Sequence, residues 1–356
     1  MKSLIVFIPE NFFIKYFVFN ICPNCSTDAS MPSGKGNRKY ELLSSGRVRF
    51  RSPVSSKNEI IHLINNFKPA SAAIRVLYGG NLFKDVAVYD NSTLSKLEKL
   101  IRLSPLDISA VIKLIEVING ISPATEIKLF FETAFFSELP AREQLYALDN
   151  NLMKMEIRRF GYNGLTHKAV IEKMRDKNRR AKKIISICLD PVPEVAAIIN
   201  GKPVMISSGA TPVEGIPGDT TCGELDPGII ILIEEKKKLG AETINEIITK
   251  KSGLSAIAGK RTSISDIFED EENNKKASRI FKYKILLSCG SALAAMDGFD
   301  AIAFSGKYID AAPKLASWLI SELKRIPVKE FSPQVFYFYE RVEEIIADYY
   351  TVQNSN

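Results

Sequence analysis

At 356 residues the chain is long enough for two ordinary domains, each with its own core. With 46% hydrophobic and 25% charged residues it reads as a soluble globular protein, which excludes collagen-like, wholly disordered and small disulfide-stapled classes. The net charge of +7 favours polyanions in general without marking a nucleic-acid binder. Five cysteines without regular spacing argue against a disulfide framework and for a reducing cytoplasm.

Leu4 to Ile8 is apolar and Phe12 to Cys22 largely so, but Pro9, Glu10 and Asn11 divide them and Lys15 interrupts the second run. A membrane span needs roughly 18–20 unbroken apolar residues, and Cys-Pro-Asn-Cys is a poor signal-cleavage site, so the pattern predicts two strands and a tight turn rather than a membrane anchor. A loop-like segment, Cys25 to Pro53, follows. Glu59 to Phe67 reads as helix, and Ala72 to Tyr78 as a buried strand closed by Gly79-Gly80. Leu94 to Ile118 has helical spacing interrupted at Pro105, and Glu126 to Phe131 is a further strand.

The second half begins near Asn150. Thr166 to Lys183 carries eight Lys or Arg against Glu172 and Asp176, a solvated helix face or a polyanion site. Ile184 to Leu189, Val195 to Ile199 and Pro203 to Ile206 are short strands, with Asn200-Gly201 a hairpin signal. Helices are predicted over Gly228 to Leu239, Ala241 to Lys250 and Asn273 to Met296. In the last, Phe281, Ile285, Cys289, Ala292 and Met296 form one core stripe. Ala301 to Phe304 is a strand ending in Ser305-Gly306, Val335 to Tyr339 a late strand and Arg341 to Tyr350 a closing helix. Strand clusters alternating with helices, twice over, imply an α/β protein of two similar halves.

Some constellations are set aside. Cys22-Pro-Asn-Cys25 is a lone CxxC, and with His62 and His167 the only histidines a zinc site has little support. Ser33-Gly-Lys-Gly36 lacks the glycine a P-loop needs at position 29, where Ala29 stands, and no G-x-S-x-G turn is present for Ser-His-Asp catalysis.

Seven stretches, in order and at matching separations, resemble the acetate kinase family of the actin-like/sugar-kinase ATPase superfamily. They are Ile74-Arg-Val-Leu-Tyr-Gly-Gly80, Leu129-Phe-Phe-Glu-Thr-Ala-Phe135, Arg158-Arg-Phe-Gly-Tyr-Asn-Gly-Leu-Thr-His167, Ser208-Gly-Ala-Thr-Pro-Val-Glu-Gly215, Gly223-Glu-Leu-Asp-Pro227, Lys250-Lys-Ser-Gly253 and Ala303-Phe-Ser-Gly306. The resemblance implies two actin-like (ribonuclease H-like) α/β domains with an interdomain cleft for ATP, Mg²⁺ as cofactor, a small carboxylate substrate and homodimers formed through the second domain. The division it suggests is 1–149, completed by 311–356, and 150–310 as the second, nucleotide-side domain.

Phosphoryl transfer asks a protein for backbone N–H groups around phosphates, cations at the transferring group and a carboxylate for Mg²⁺. The first phosphate loop, Asn-x-Gly-Ser-Ser-Ser in the family, matches Phe7-Ile-Pro-Glu-Asn-Phe-Phe13, where Pro9 has no N–H and Glu10 has the wrong charge. The second, His-Leu-Gly-Asn-Gly, falls on Cys188-Leu-Asp-Pro-Val192 followed by Pro193 and Glu194. Asp190, Pro191 and Val192 thus form a degenerate loop, a stiff β-turn in which Asp190 and Glu194 would repel a triphosphate. By the same resemblance Asn163 replaces the family's catalytic His and Thr221 its Arg. Ser263, Ile264 and Ser265 replace the adenosine-contacting Asp-Phe-Arg, and the loop from Gly306 to Ala311 lacks the family's later glycines. Arg75 matches the substrate-binding Arg, Glu132 the Asp near the transferring phosphate and Asp310 a Mg²⁺-binding Glu. Each has a plain alternative: an ion pair for Arg75, polar strand termini for Glu132 and Asp310.

Three functions follow from this pattern. The first is an acetate kinase-like protein that is catalytically impaired or a pseudoenzyme, needing no cofactor and acting as a homodimer or by pairing with an active paralogue. The second is an active ATP-dependent kinase of the acetate, propionate or butyrate type with a rewired site, Lys307 or Lys260 supplying charge. The third is a partner- or polyanion-binding protein, which the small charge excess and the absence of interleaved aromatics disfavour for nucleic acid.

Overall fold

The computed structural model describes residues 2–10, 13–22, 39–49, 53–103, 108–153, 157–326 and 333–353, and divides into two compact units, Met1–Ala134 with Arg341–Asn356 and Phe135–Glu340. The first unit opens with strands β1 (Lys2–Pro9) and β2 (Phe13–Ile21), paired antiparallel from Lys2↔Ile21 to Pro9↔Ile14 as the broken apolar runs predict. Strand β3 (Tyr40–Arg49), helix α1 (Pro53–Phe67), β4 (Ser71–Val76), the short β5 (Ala87–Val88), α2 (Asn91–Leu103), α3 (Ser109–Ile121) and β6 (Glu126–Phe131) follow. The sheet order is β3-β2-β1-β4-β6-β5, with β1, β4 and β6 mutually parallel. Leu4, Ile5, Val6 and Phe7 are all inaccessible to solvent, because a strand with neighbours on both edges and cover on both faces must be apolar throughout. The closing helix, Val342–Gln353, returns to this unit: Tyr349 meets Phe130 edge-on, and the Tyr350 hydroxyl bonds Ser71.

β3 departs from the loop expected between Cys25 and Pro53; of that segment, residues 25–38 and 50–52, including the Ser33–Gly36 stretch, lie outside the described ones. The strand is an edge with a register shift opposite Val18/Phe19, and only Tyr40 and Val48 are buried, so it shows no clean alternation. Gly46 pairs with Tyr16, whose ring would lie 2.7–2.9 Å from any Cβ placed there. Cys22 is disulfide-bonded, while Cys188, Cys222 and Cys289 form no disulfide.

In the second unit the short helices α4 (Ala141–Gln144) and α5 (Asn150–Met153) precede α6 (Gly164–Lys177). A meander follows: β7 (Lys183–Cys188), β8 (Glu194–Ile199) and β9 (Lys202–Ile206). Asn200 and Gly201 both have positive φ, 51° and 84°, as a primed hairpin turn requires. Then come α7 (Pro227–Lys237), α8 (Ala241–Lys250), α9 (Gly253–Ala258), α10 (Ile264–Glu269), α11 (Lys275–Met296), β10 (Ala301–Ser305), α12 (Ala312–Leu323) and β11 (Gln334–Tyr337). The order β11-β10-β7-β8-β9, with β10 parallel to both β7 and β11, repeats the arrangement of β6-β4-β1-β2-β3. Both halves are therefore the same five-strand design, and the predicted α11 stripe is its buried face.

The design explains why residues 311–340 lie with the second unit rather than the first. β11 supplies the fifth strand of the second sheet, as β6 does in the first, and α12, absent from the expected elements, buries Leu315, Ala316, Leu319 and Leu323 in the same core. Among the described residues no helix is long and apolar enough to cross a membrane.

Candidate active site

In the first unit, β4 and β6 are in register with Arg75 opposite Phe130, and the chain leaves β6 at Glu132. The Glu132 N–H donates to the Val76 carbonyl at 3.0 Å, and its fully buried carboxylate accepts from Arg75 Nε. Of the readings open for Arg75, the structure contains the ion pair. Thr133 Oγ1 accepts from Gly79 N at 2.9 Å, tying the two strand ends together. The turn matching the first phosphate loop closes on itself: Glu10 N donates to Phe13 O at 2.7 Å, Phe13 N to Glu10 O at 3.4 Å, and the Glu10 carboxylate pairs with Lys15. Near the C-terminus, Glu344 Oε2 accepts from Arg341 N at 3.1 Å and so caps its own helix, while burial pushes the Glu343 carboxyl up.

The second unit is organised by a carboxylate. Glu194, fully buried at the start of β8, accepts from Tyr162 N at 2.7 Å and Ser208 Oγ at 2.5 Å on one oxygen. The other accepts from Asn163 N at 3.0 Å and lies 3.5 Å from His167 Nε2. His167 Nδ1 is in turn 2.7 Å from Ser186 Oγ. Glu194 therefore faces inward, correcting the expectation that it would repel a phosphate. A strand start needs an acceptor where unpaired backbone N–H groups from another loop converge, and a buried carboxylate with several donors is stable there. Gly161 is obligatory in the same loop because a Cβ would sit 2.0 Å from the buried Phe136 ring.

From this loop Asn163 reaches the β7–β8 turn, its Nδ2 donating to Val192 O at 3.2 Å. Asp190 Oδ1 accepts from Lys307 N at 2.6 Å, Leu189 N donates to Ser305 O, and Tyr308 N to Leu189 O, each 2.8 Å. Gly306, at φ 97°, allows the approach, since a Cβ would lie 2.7 Å from Leu189 N. Pro191 O accepts from Asp219 N at 2.9 Å, and Gly218 is packed so closely that a Cβ would fall 2.1 Å from that carbonyl. Thr221 Oγ1 accepts from Gly218 N at 3.1 Å. Asp219 Oδ1 accepts from Ile264 N at 3.2 Å and Oδ2 from the Tyr308 hydroxyl at 2.5 Å. Ser263 forms a capping box with Asp266 at the start of α10, Ile264 is buried and Ser265 half-buried beside it.

The structure thus brings Asp190, Pro191, Val192, Asn163, Thr221 and Ile264 into one bonded group, with Gly306 packed against Leu189 and Ser263 capping α10 next to Ile264. Asp310 is exposed on the short turn before α12, and Arg75 and Glu132 belong to the other unit. Among the described residues no three His, Cys, Asp or Glu side chains gather as a metal-ligand set. The sequence reading missed Asp219 and Tyr308, which join four segments of this group. Burial raises the Asp219 carboxyl above its ordinary value of 3.8, outweighing the bonds from Tyr308 and Ile264 that lower it. Burial and the neighbouring Asp219 raise the Tyr308 phenol.

Comparison with known proteins agrees with the seven stretches. The acetokinase family model matches residues 56–330. The chain belongs to the acetokinase family. It is 32% identical to the acetate kinase of Halothermothrix orenii over 282 residues, 77% of this chain and 71% of that one. It is 33% identical to the acetate kinase of Thermoanaerobacter pseudethanolicus over 268 residues, 72% and 66% of the two chains. The chain thus spans about two thirds to seven tenths of these relatives' lengths. The crystal structure of Porphyromonas gingivalis acetate kinase superposes over the whole of both chains with TM-score 0.77 at 22% identity. That of a Francisella tularensis propionate kinase superposes over 98% of each with TM-score 0.82 at 21% identity. These structures show the two-domain actin-like fold. The acetokinase-family match begins after the β1–β2 hairpin.

Glu194→Ala leaves the Tyr162 and Asn163 N–H groups and Ser208 buried without their acceptor. We expect a loss of about 3–5 kcal/mol, read as a lower urea midpoint with unchanged slope. An unaltered midpoint contradicts the account of this loop. A second measurement addresses Asp219. Because its folded-state pKa is raised, the native state holds the proton more readily than the unfolded chain. Its contribution is complete below the unfolded value and declines as pH rises through the higher folded value. The difference in stability between wild type and Asp219→Asn should therefore shift against wild type as pH is raised from about 4 to about 7; the opposite slope refutes the assignment.

Proposed function

We propose that this acetokinase-family chain has lost or strongly impaired phosphoryl transfer and acts through pairing. The observation that carries the reading is the Arg75–Glu132 pair: the one cation kept at a position the family resemblance assigns to substrate is engaged by a fully buried carboxylate. In support, Asn163 and Thr221, at the positions of the family's His and Arg, are uncharged and bonded to the Val192 carbonyl and the Gly218 N–H. Losing a cation at a transferring phosphoryl costs on the order of 10³-fold or more in rate. The nucleotide side does not fit a triphosphate tail: Pro191 and Pro193 lack N–H groups, and Asp190 and Asp219 hold the donors beside them. Titration with ATP and Mg²⁺ to millimolar nucleotide is expected to give a dissociation constant weaker than about 1 mM. Micromolar binding, or acyl phosphate formed from a small carboxylate and abolished by Arg75→Ala, overturns the reading in favour of a rewired kinase.

Pairing with a second copy is supported by α7. Ile229, Ile231 and Leu232 are exposed on it and none of its residues is buried; on α11 Tyr283 and Leu287 are exposed too. Exposed apolar side chains gathered on one helix are the surface a second copy would cover. Light scattering should give a dimer mass for wild type and a monomer for the Ile231→Glu, Leu232→Glu double variant; a wild-type monomer contradicts self-pairing.

A further inference from the structure

The nucleotide-side group of the second unit contains a set of donors and a set of anions that satisfy each other. The donors are Lys307 N–H, Ile264 N–H and the Tyr308 hydroxyl, carried on the turn after β10 and the start of α10. They are of the kind that recognise phosphate oxygens: two backbone N–H groups and a hydroxyl, with the Lys307 ammonium 3.3 Å from the Tyr308 oxygen. The anions are Asp190 on the β7–β8 turn and Asp219 on the loop between β9 and α7. The two are locked in place together, because Asp219 N donates to Pro191 O at 2.9 Å, one residue from Asp190.

A carboxylate oxygen and a phosphate oxygen accept the same bonds from the same donors. We propose that Asp190 and Asp219 are built-in anions: an internal latch that occupies the phosphate-type donors of this unit and holds them shut against a nucleotide phosphate. An incoming phosphate has to expel both carboxylates and then sit beside them, so exclusion is both steric and electrostatic. The latch differs from decay of the site. Loss of function by decay leaves donors to water, whereas here three donors from two segments are each met by an acid. It also predicts reversibility, since a binding-competent state held closed by an internal contact reduces apparent affinity by its population, and removing the contact restores it.

The inference rests on the functional reading above but is tested separately. The probe is ADP, titrated calorimetrically into wild type, Asp190→Gly/Asp219→Ser and Asp300→Asn. Asp300→Asn is a charge control that removes one of the two negative charges the double variant removes, at a carboxylate that accepts from Lys182 N and Lys183 N at the start of β7. We expect the double variant to gain about tenfold or more in ADP affinity, and Asp300→Asn to stay within about twofold of wild type. A folded double variant with wild-type affinity overturns the latch, as does an equal gain in Asp300→Asn, which would be a charge effect alone. Should the double variant fail to fold, amide exchange decides on the wild-type chain. Slow exchange at Lys307 and Ile264 that is accelerated in the single variant Asp190→Gly at Lys307 but not at Ile264 supports the latch; unprotected Lys307 and Ile264 amides in wild type overturn it. Acyl phosphate formation by wild type overturns the functional reading, whereas an unchanged affinity in the folded double variant overturns the latch alone.

Discussion

A carboxylate with no access to water must find its solvation inside the protein, and much of the second unit is arranged to provide it. Glu194 draws two consecutive backbone N–H groups, a serine hydroxyl and a histidine edge onto one side chain. Those groups come from the loop before α6, the first turn of α6 and the segment after β9, so one residue at the start of β8 fixes all three against the sheet. Fixing the first places Asn163 beside the β7–β8 turn, and that turn in turn receives Asp219 and the Gly306–Tyr308 segment. Remove the carboxylate and the bonded group loses the support on which its geometry rests.

A phosphoryl-transfer site works because it keeps unpaired donors and charges for its substrate, at a cost in stability that substrate binding offsets. Neither unit keeps much in reserve here. In the first, Arg75 is met by Glu132; in the second, the Lys307 and Ile264 amides are met by aspartates and the Asn163 amide by a carbonyl. The acetokinase-family frame survives because its strands and stripe-bearing helices depend on apolar burial, which none of these polar exchanges disturbs.

What could be read from the residues alone was whatever is local. Pro9-Glu10 between two apolar runs announces a hairpin, Asn200-Gly201 a primed turn, and the 281–296 stripe a buried helix face. β3 escaped because an edge strand with a bulge buries only Tyr40 and Val48, leaving Ser, Gly and Arg to look like a loop. The placement of 311–340 depends on β11 finding β10, a pairing no local pattern encodes. The family motifs marked the residues of the candidate site but not their bonds. Glu194 was read as an outward charge because its partners lie 14 to 32 residues away, and Asp219 went unseen because Tyr308 is 89 residues distant.

The first unit is built from both ends of the described chain, while the second is one uninterrupted stretch. During synthesis the ribosome delivers β1 to β6 first, then the whole of Phe135–Glu340, and only afterwards the helix whose Tyr349 and Tyr350 cover Phe130 and Ser71. The earlier-made half thus waits for the later-made one: its sheet stays uncovered on that face until the closing helix has been synthesised and released to return to it.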